Sequence, residues 1–348
     1  MALENALAIS YATAAAPAVA ALVSERYDLR GKLVCALQNR GFNDTYVIYL
    51  TDGARFILRV SGRRGRGPAD VAAETAFLAH LDGEGVPVAA AVPTREGKLF
   101  TSATLPDGPR AAVLFRFADG RRPDLDTPED ARLQGITLAR IHTAADGFPA
   151  RARGRYRLDL DHLLHRQVRS VRAAVRALGL DATRAIEDVH ALAERLANAV
   201  QRIDGDLTRT RCHGDCHGLN ARIATAGPHA GEAVFFDFDD GGYGYLAYDL
   251  AVHLWAQVSF GRRRYAMWHA FIAGYRTTRQ IRTLDAEAVH LFVPIRHIWL
   301  MGEWASRMAE WGAEYLTAAW LEREVAFMLT WERDRLETSL LTRAVWAT

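Results

Sequence analysis

Residues 211–250 hold Arg211-Cys212-His213-Gly214-Asp215-Cys216-His217-Gly218-Leu219-Asn220, then Phe235-Phe236-Asp237-Phe238-Asp239-Asp240, then Tyr248-Asp249-Leu250. One carboxylate is followed five residues later by an amide, and a second carboxylate follows an apolar run. Phosphoryl transfer asks little covalent work of a protein. It needs a group that orients the attacking hydroxyl and ligands that hold a metal on the phosphates. Magnesium takes hard oxygen donors and keeps much of its water, so a carboxylate and an amide suffice as protein ligands. Asp215 suits the base, and Asn220 and Asp237 suit the metal. The run Ala233-Val234-Phe235-Phe236 predicts a buried strand and Leu219–Ile223 a shorter one, so a hairpin would bring Asn220 and Asp237 together.

The same residues carry a family resemblance. The stretch resembles the catalytic and metal loops of the aminoglycoside phosphotransferase and choline kinase superfamily, relatives of the protein kinases in which His-Gly-Asp replaces His-Arg-Asp. The Cys216-His217 pair and Asp237-Phe238-Asp239-Asp240 look most like its bacterial stress response kinase branch. The resemblance implies an α+β, protein-kinase-like fold of two lobes, with a small antiparallel sheet and a larger, mainly helical C-lobe. It makes Asp215 the catalytic base, Asn220 and Asp237 the metal ligands, and Asp249 a buried carboxylate bracing the catalytic loop. ATP and Mg2+ are the implied cofactors.

Two other chemistries compete for these residues. Cys212, His213, Cys216 and His217 are soft ligands at short spacing, as zinc prefers, but a structural zinc site needs a second distant pair and no other Cys lies nearby. A metallohydrolase using His213, Asp215 and His217 would generate a metal hydroxide. It leaves Asn220 and Asp249 without a role.

The elements that must position the site begin with three strands, Leu33–Leu37, Tyr46–Leu50 and Phe56–Val60, separated by turns at Arg40-Gly41 and Asp52-Gly53. The first turn, Gln38 to Tyr46, would lie over nucleotide phosphates, where backbone amides approach an anion. Gln38, Asn39, Gly41 and Asn43 are its candidate contacts, and Gly41-Phe42-Asn43-Asp44-Thr45-Tyr46 resembles the family's entry to this hairpin. Arg59 stands where protein kinases and many aminoglycoside kinases place Lys. The chain has only Lys32 and Lys98, neither in this context. Arg is a permanently charged, forked donor able to serve the same phosphates, and choline kinase-like relatives show it here. Pro68 opens a helix to about Leu81 in which Glu74 is the candidate partner of Arg59. The intervening Gly62–Gly67 loop is basic and Gly-rich, and reads as solvated surface.

Val86–Thr104 predicts two further strands about a turn at Glu96-Gly97. Ala111–Phe117 follows, and a hinge is expected at residues 115–120. The backbone of Phe115, Arg116 and Phe117 would there read the adenine edge. The domain division expected is residues 1–114 for the nucleotide-binding lobe, 115–120 for the hinge and 121–348 for the helical lobe. Helices are expected over Pro128–Ala145, Asp161–Leu178, Arg184–Ile203, Leu246–Phe260, Tyr265–Tyr275, Asp285–Met308 and Trp320–Leu341. All eight Trp residues follow residue 254. Trp299, Trp304 or Trp311 would wall a pocket for a cationic amine, but Trp at helical spacing favours the core.

Composition bounds the partners. The 348 residues, half of them hydrophobic, allow a large core. With 43 basic and 41 acidic residues, no nucleic-acid partner is implied. Three cysteines argue against a disulfide framework and for a reducing compartment, with the cytoplasm as the expected location. Residues 5–23 mimic a leader peptide but lack a basic start and fall short of a membrane span, so a short helix is expected there and no membrane association. The expected activity is ATP-dependent phosphorylation of a small-molecule hydroxyl of the aminoglycoside, choline or homoserine class. The alternatives are a stress-response-type Ser/Thr protein kinase, whose partner would be a protein substrate, and a nucleotide-binding pseudokinase.

Overall fold

The computed structural model describes residues 9–62, 66–149, 154 and 156–336. The chain divides into two compact units, Met1–Asp119 with Phe148–Arg155, and Gly120–Gly147 with Tyr156–Thr348.

In the first unit, helix α1 (Ala16–Arg26) precedes strands β1 (Leu33–Arg40), β2 (Asp44–Leu50) and β3 (Arg55–Val60), helix α2 (Pro68–Gly83), and strands β4 (Thr101–Leu105) and β5 (Gly108–Arg116). The five strands form one antiparallel sheet in the order β1-β2-β3-β5-β4. Successive strand residues face opposite sides. Tyr46, Ile48, Leu58, Val60, Ala112 and Leu114 accordingly share one face, where Val19, Val23 and Tyr27 cover them. Arg59, between Leu58 and Val60, must point to the other face.

One expectation for this unit fails. Val86–Thr104 holds a single strand, β4, and the earlier strand is reduced to an isolated bridge of Ala91 with Phe115. Val92 donates its N–H to Leu114 and Ala90 accepts from Arg116. Pro87 and Pro93 flank the segment and have no N–H to extend a ladder. The turn at Glu96-Gly97 is present, with Gly97 at φ 75°. Helix α1 starts eleven residues later than the start expected at residue 5; residues 5–8 of that expectation lie outside the described residues, as do Arg63, Arg64 and Gly65 of the basic loop.

The second unit is mainly helical. Helix α3 (Pro128–Asp146) leads to strand β6 (Arg157–Leu158), a π-turn (Asp161–His165), α4 (Arg166–Leu178) and α5 (Thr183–Ile203). Strands β7 (Arg209–Cys212), β8 (Ala221–Ile223), β9 (Ala233–Phe235) and β10 (Gly242–Tyr245) carry the loops of interest. Strands β8 and β9 pair as the expected antiparallel hairpin, and β10 lies between β6 and β7. Helices α6 (Leu246–Val258), α7 (Tyr265–Arg276), α8 (Thr283–Ala305), α9 (Met308–Trp311) and α10 (Ala318–Trp331) complete it. The helix expected to reach Leu341 ends its α-helical part at Trp331, continues as a π-turn to Leu336, and beyond that lies outside the described residues.

Two helix contacts set the positions that matter. Helices α3 and α7 cross at Gly135 and Gly274. A Cβ at Gly135 would stand 2.0 Å from the Phe271 carbonyl oxygen, and one at Gly274 2.1 Å from that of Arg132. This backbone approach lets His142 on α3 meet Tyr275 on α7, Nδ1 to Oη 2.8 Å. Helix α8 contains Pro294, which leaves the His290 carbonyl without its helical donor. The Trp331 indole N–H supplies one at 3.0 Å.

Candidate active site

The loop after β7 is tied to the start of α6 by one side chain. Asp249 is fully buried. Its Oδ2 accepts the His213 amide at 2.7 Å, its Oδ1 the Gly214 amide at 2.7 Å, and the His142 ring meets Oδ2 at 2.9 Å. Burial alone would raise the Asp249 carboxyl, but the hydrogen bond and charge of His142, with His213 and the Gly214 amide, bring it below its ordinary value. Gly214 adopts φ 85°, and a Cβ there would lie 2.1 Å from the Asp240 carbonyl oxygen. Only glycine fits this left-handed turn pressed against another backbone.

His213 joins the two loops. Its Nε2 donates to the Phe236 carbonyl at 3.0 Å, and its Nδ1 accepts the Asp215 amide at 3.2 Å. Those roles require the neutral ring, and burial lowers its pKa accordingly. Asn220 donates through Nδ2 to the Asp215 backbone carbonyl at 3.0 Å and to Asp215 Oδ2 at 2.9 Å. Its own carbonyl oxygen accepts the Phe236 amide at 3.1 Å. The hairpin thus sets Asn220 across from the residue that precedes Asp237. Asp237 is exposed, at φ 66° and ψ 60°, and a 3-10 turn, Phe238–Asp240, follows it. Asp tolerates this left-handed conformation better than most residues. Asp239 and Asp240 are buried.

The thiols do not make a soft-metal cluster. Cys212 Sγ donates to the Tyr245 carbonyl at 3.3 Å and Cys216 Sγ to the Asp249 carbonyl at 2.9 Å. Burial raises both thiols well above their ordinary values, whereas a zinc ligand must be thiolate. With its Nδ2 directed at Asp215, Asn220 could offer Oδ1, and Asp237 its carboxylate, as hard oxygen donors to an ion that retains water.

The carboxylate of Asp215 has a partner that the sequence reading missed. Arg296, on α8, donates through Nη2 to Asp215 Oδ1 and through Nη1 to the Gly214 carbonyl and the Tyr248 hydroxyl, both at 3.3 Å. Its guanidinium carbon lies 4.2 Å from the Trp299 ring centre and 5.1 Å from that of Trp255. His217 Nε2 stands 3.4 Å from Asp215 Oδ2. Burial would raise the Asp215 carboxyl, but His217 and Arg296 outweigh it and hold the group far below the carboxylate range. The available signal was a lone Arg in the apolar helical run Phe292–Trp299. Trp299 is buried beneath this cation, Trp304 packs on Tyr315 and Trp320, and Trp311 is exposed. Packing, not an amine pocket, accounts for Trp299.

In the first unit, Arg59 and Glu74 form the expected pair, bidentate at 2.8 and 2.6 Å, each side chain 5% exposed. Gln38 and Asn39 are exposed near the end of β1, and the Gly41 amide bonds the Asn43 carbonyl. Asn43 Oδ1 accepts the Gly62 amide at 3.0 Å, so that side chain braces the turn. Phe115 and Arg116 lie in β5 opposite Ile57 and Phe56, and Phe117 follows with the Arg55 guanidinium over its ring. The Arg116 amide donates to the Ala90 carbonyl at 2.9 Å.

Residues 37–282 match the model described as the phosphotransferase enzyme family. A protein of Deinococcus radiodurans with no described activity is 39% identical over 318 residues, covering 90% of this chain and 89% of its own. A homoserine kinase of Caulobacter vibrioides is 26% identical, covering 83% of this chain and 86% of its own. Among solved structures, a microcompartment-associated aminopropanol kinase superposes with TM-score 0.69 at 22% identity, over 90% of this chain and 95% of that one. The amicoumacin kinase hAmiN, solved with AMP-PNP, Ca2+ and amicoumacin, gives 0.70 at 19%, over 91% and 93%. Both structures share the two-part kinase-like fold expected from the sequence.

Proposed function

Because this chain belongs to the phosphotransferase enzyme family, we propose that it transfers the γ-phosphoryl group of ATP to a hydroxyl of a small molecule. The observation that carries the reading is the hydrogen-bonded Asp215–Asn220 pair, set by the β8–β9 hairpin next to Asp237. Asp215 accepts the hydrogen of the acceptor hydroxyl and aims its oxygen for in-line attack. In a loose transition state such aiming matters more than basicity, which accommodates a carboxylate held far below its usual range. Asn220 Oδ1 and the Asp237 carboxylate would hold magnesium, which would supply positive charge to offset what develops on the phosphoryl group. Arg59, kept in place by Glu74, would face the α- and β-phosphates, with the backbone of Gln38, Asn39, Gly41 and Asn43 beside it. Phe115 and Phe117 would offer backbone groups to the adenine edge. A small alcohol is favoured as acceptor by the homoserine kinase relatives and the aminopropanol kinase likeness.

The test compares wild type with Asp215→Asn and Asp237→Ala for magnesium-dependent ATP binding and for turnover against a panel of small alcohols, L-homoserine and aminopropanol first. Asp215→Asn should retain nucleotide and lose about 10²- to 10⁴-fold in kcat, while Asp237→Ala should lose the magnesium dependence of binding. Unchanged turnover in Asp215→Asn removes the proposal.

A further inference from the structure

Resting on the reading of Asp215 as the transfer base, we infer that Arg296 is a positioning residue that locks the Asp215 carboxylate in its working orientation. Three observations carry this beyond a structural ion pair.

The first is where the charge sits. Arg296 is 3% exposed, in a helix whose neighbours Val293, Ile295 and Ile298 are buried and apolar. A permanent cation is costly there unless specific partners compensate it. The second is how it is held. Trp255 and Trp299 supply ring faces to the guanidinium. The Trp255 indole is itself fixed, donating to His297 Nδ1 at 3.0 Å while His297 Nε2 meets Glu324 at 3.0 Å. The Trp299 indole donates to His162 Nε2 at 3.2 Å. The cage walls therefore have little rotational freedom, and the fork they hold is aimed.

The third observation is how the two clamps divide the carboxylate. Arg296 takes Oδ1, and Asn220 takes Oδ2 from the hairpin. With both oxygens engaged on separate elements, the carboxylate cannot rotate about χ2. Oδ2 also faces His217 Nε2 at 3.4 Å, and Oδ1 keeps a further lone pair able to accept an acceptor O–H. The same guanidinium also bonds the Gly214 carbonyl, so the loop that carries Asp215 and the side chain itself are registered to α8 together.

The experiment is a double-mutant cycle of Arg296→Lys with Asp215→Asn, read as kcat and KM with L-homoserine and aminopropanol as probe alcohols, and as magnesium ATP hydrolysis if neither is phosphorylated. Lys keeps the charge but not the fork, and a misplaced base costs on the order of 10²-fold. The expected result is a kcat fall of that size with KM for ATP unchanged, a larger fall in Arg296→Met, and a loss under about 3-fold when Arg296→Lys is made in the Asp215→Asn background, since residues acting through one another are non-additive. Near-UV circular dichroism and ATP binding establish folding; if Arg296→Met does not fold, the Lys variant alone decides. A wild-type kcat in folded Arg296→Lys, penalties that add in the double variant, or a rise in acceptor KM at constant kcat would each overturn the inference. Retained turnover in Asp215→Asn alone instead defeats the underlying reading.

Discussion

At Asp249 two consecutive amides and an imidazole meet one buried carboxylate, so its loss strands several donors at once. Asp249→Asn replaces one acceptor oxygen by a donor facing an amide or ring N–H. Urea unfolding should report a stability loss of about 2–3 kcal/mol, and kcat should fall because the loop bearing Asp215 loses its anchor. A wild-type midpoint in the variant would show that the loop is held by other contacts. The Arg59–Glu74 pair makes a parallel case: Glu74→Gln removes one charge of a buried bidentate pair, at a cost of about 3–5 kcal/mol. Double replacement Arg59→Met with Glu74→Leu should recover much of that stability while leaving ATP binding impaired, a separation measurable by combining urea unfolding with nucleotide titration. Asp215, Asn220 and Asp237 were legible in the sequence as candidates because short spacing and residue type suffice to name them, and Asp249 was named by the family resemblance. His142 lay unremarked within the helix expected over Pro128–Ala145, and Arg296 within that expected over Asp285–Met308. Their partners lie 107 and 81 residues away in sequence, and periodicity cannot report which residue a buried side chain meets.

Among the elements, α8 depends on a repair made by another helix. Pro294 removes an N–H from the middle of the helix, and the Trp331 indole of α10 occupies the His290 carbonyl thus released. Trp331→Phe keeps an aromatic side chain and deletes only the donor, so the midpoint of urea unfolding should drop by an amount equivalent to about 1–3 kcal/mol. Since α8 also carries Arg296, kcat should fall with it; an unchanged midpoint would mean that water replaces the indole. Strong apolar periodicity made the long helices readable to within a few residues, as with Pro128–Ala145 expected and Pro128–Asp146 observed. The segment 86–92 was misread for a physical reason. Its β-branched and small apolar residues promise a strand, yet a strand exists only where a neighbour completes the ladder, and prolines on both sides prevent that.

Across the whole molecule, buried imidazoles make stability a function of pH. Burial lowers His213, His290 and His297, and takes His253, stacked 3.9 Å from Phe271, down to about 3. Each ordinarily titrates near 6.5 in an unfolded chain. The unfolded state therefore binds more protons than the folded state once the pH drops below that value. Because the folded pKa values are depressed, the stability these groups allow is fully present above pH 6.5 and is lost as the pH falls toward the folded values. For His253 the window runs from 6.5 to about 3, with a slope near 1.4 kcal/mol per pH unit for one full proton. The lowered carboxyls of Asp249 and Glu324 act in the same direction, but only from about their ordinary values near 4 downward, so above pH 5 the loss belongs to the imidazoles. Urea unfolding at pH 7.5, 6.5 and 5.5 should give a stability that falls modestly between the first two and more steeply to the third. His253→Phe retains a ring against Phe271 and cannot take the proton, so its loss between pH 6.5 and 5.5 should be smaller than that of wild type by about 1 kcal/mol. A wild-type stability that stays level down to pH 5.5 would mean that these rings are protonated in the folded state, and with that the neutral His213 bridge between the loops after β7 and β9 would also be lost.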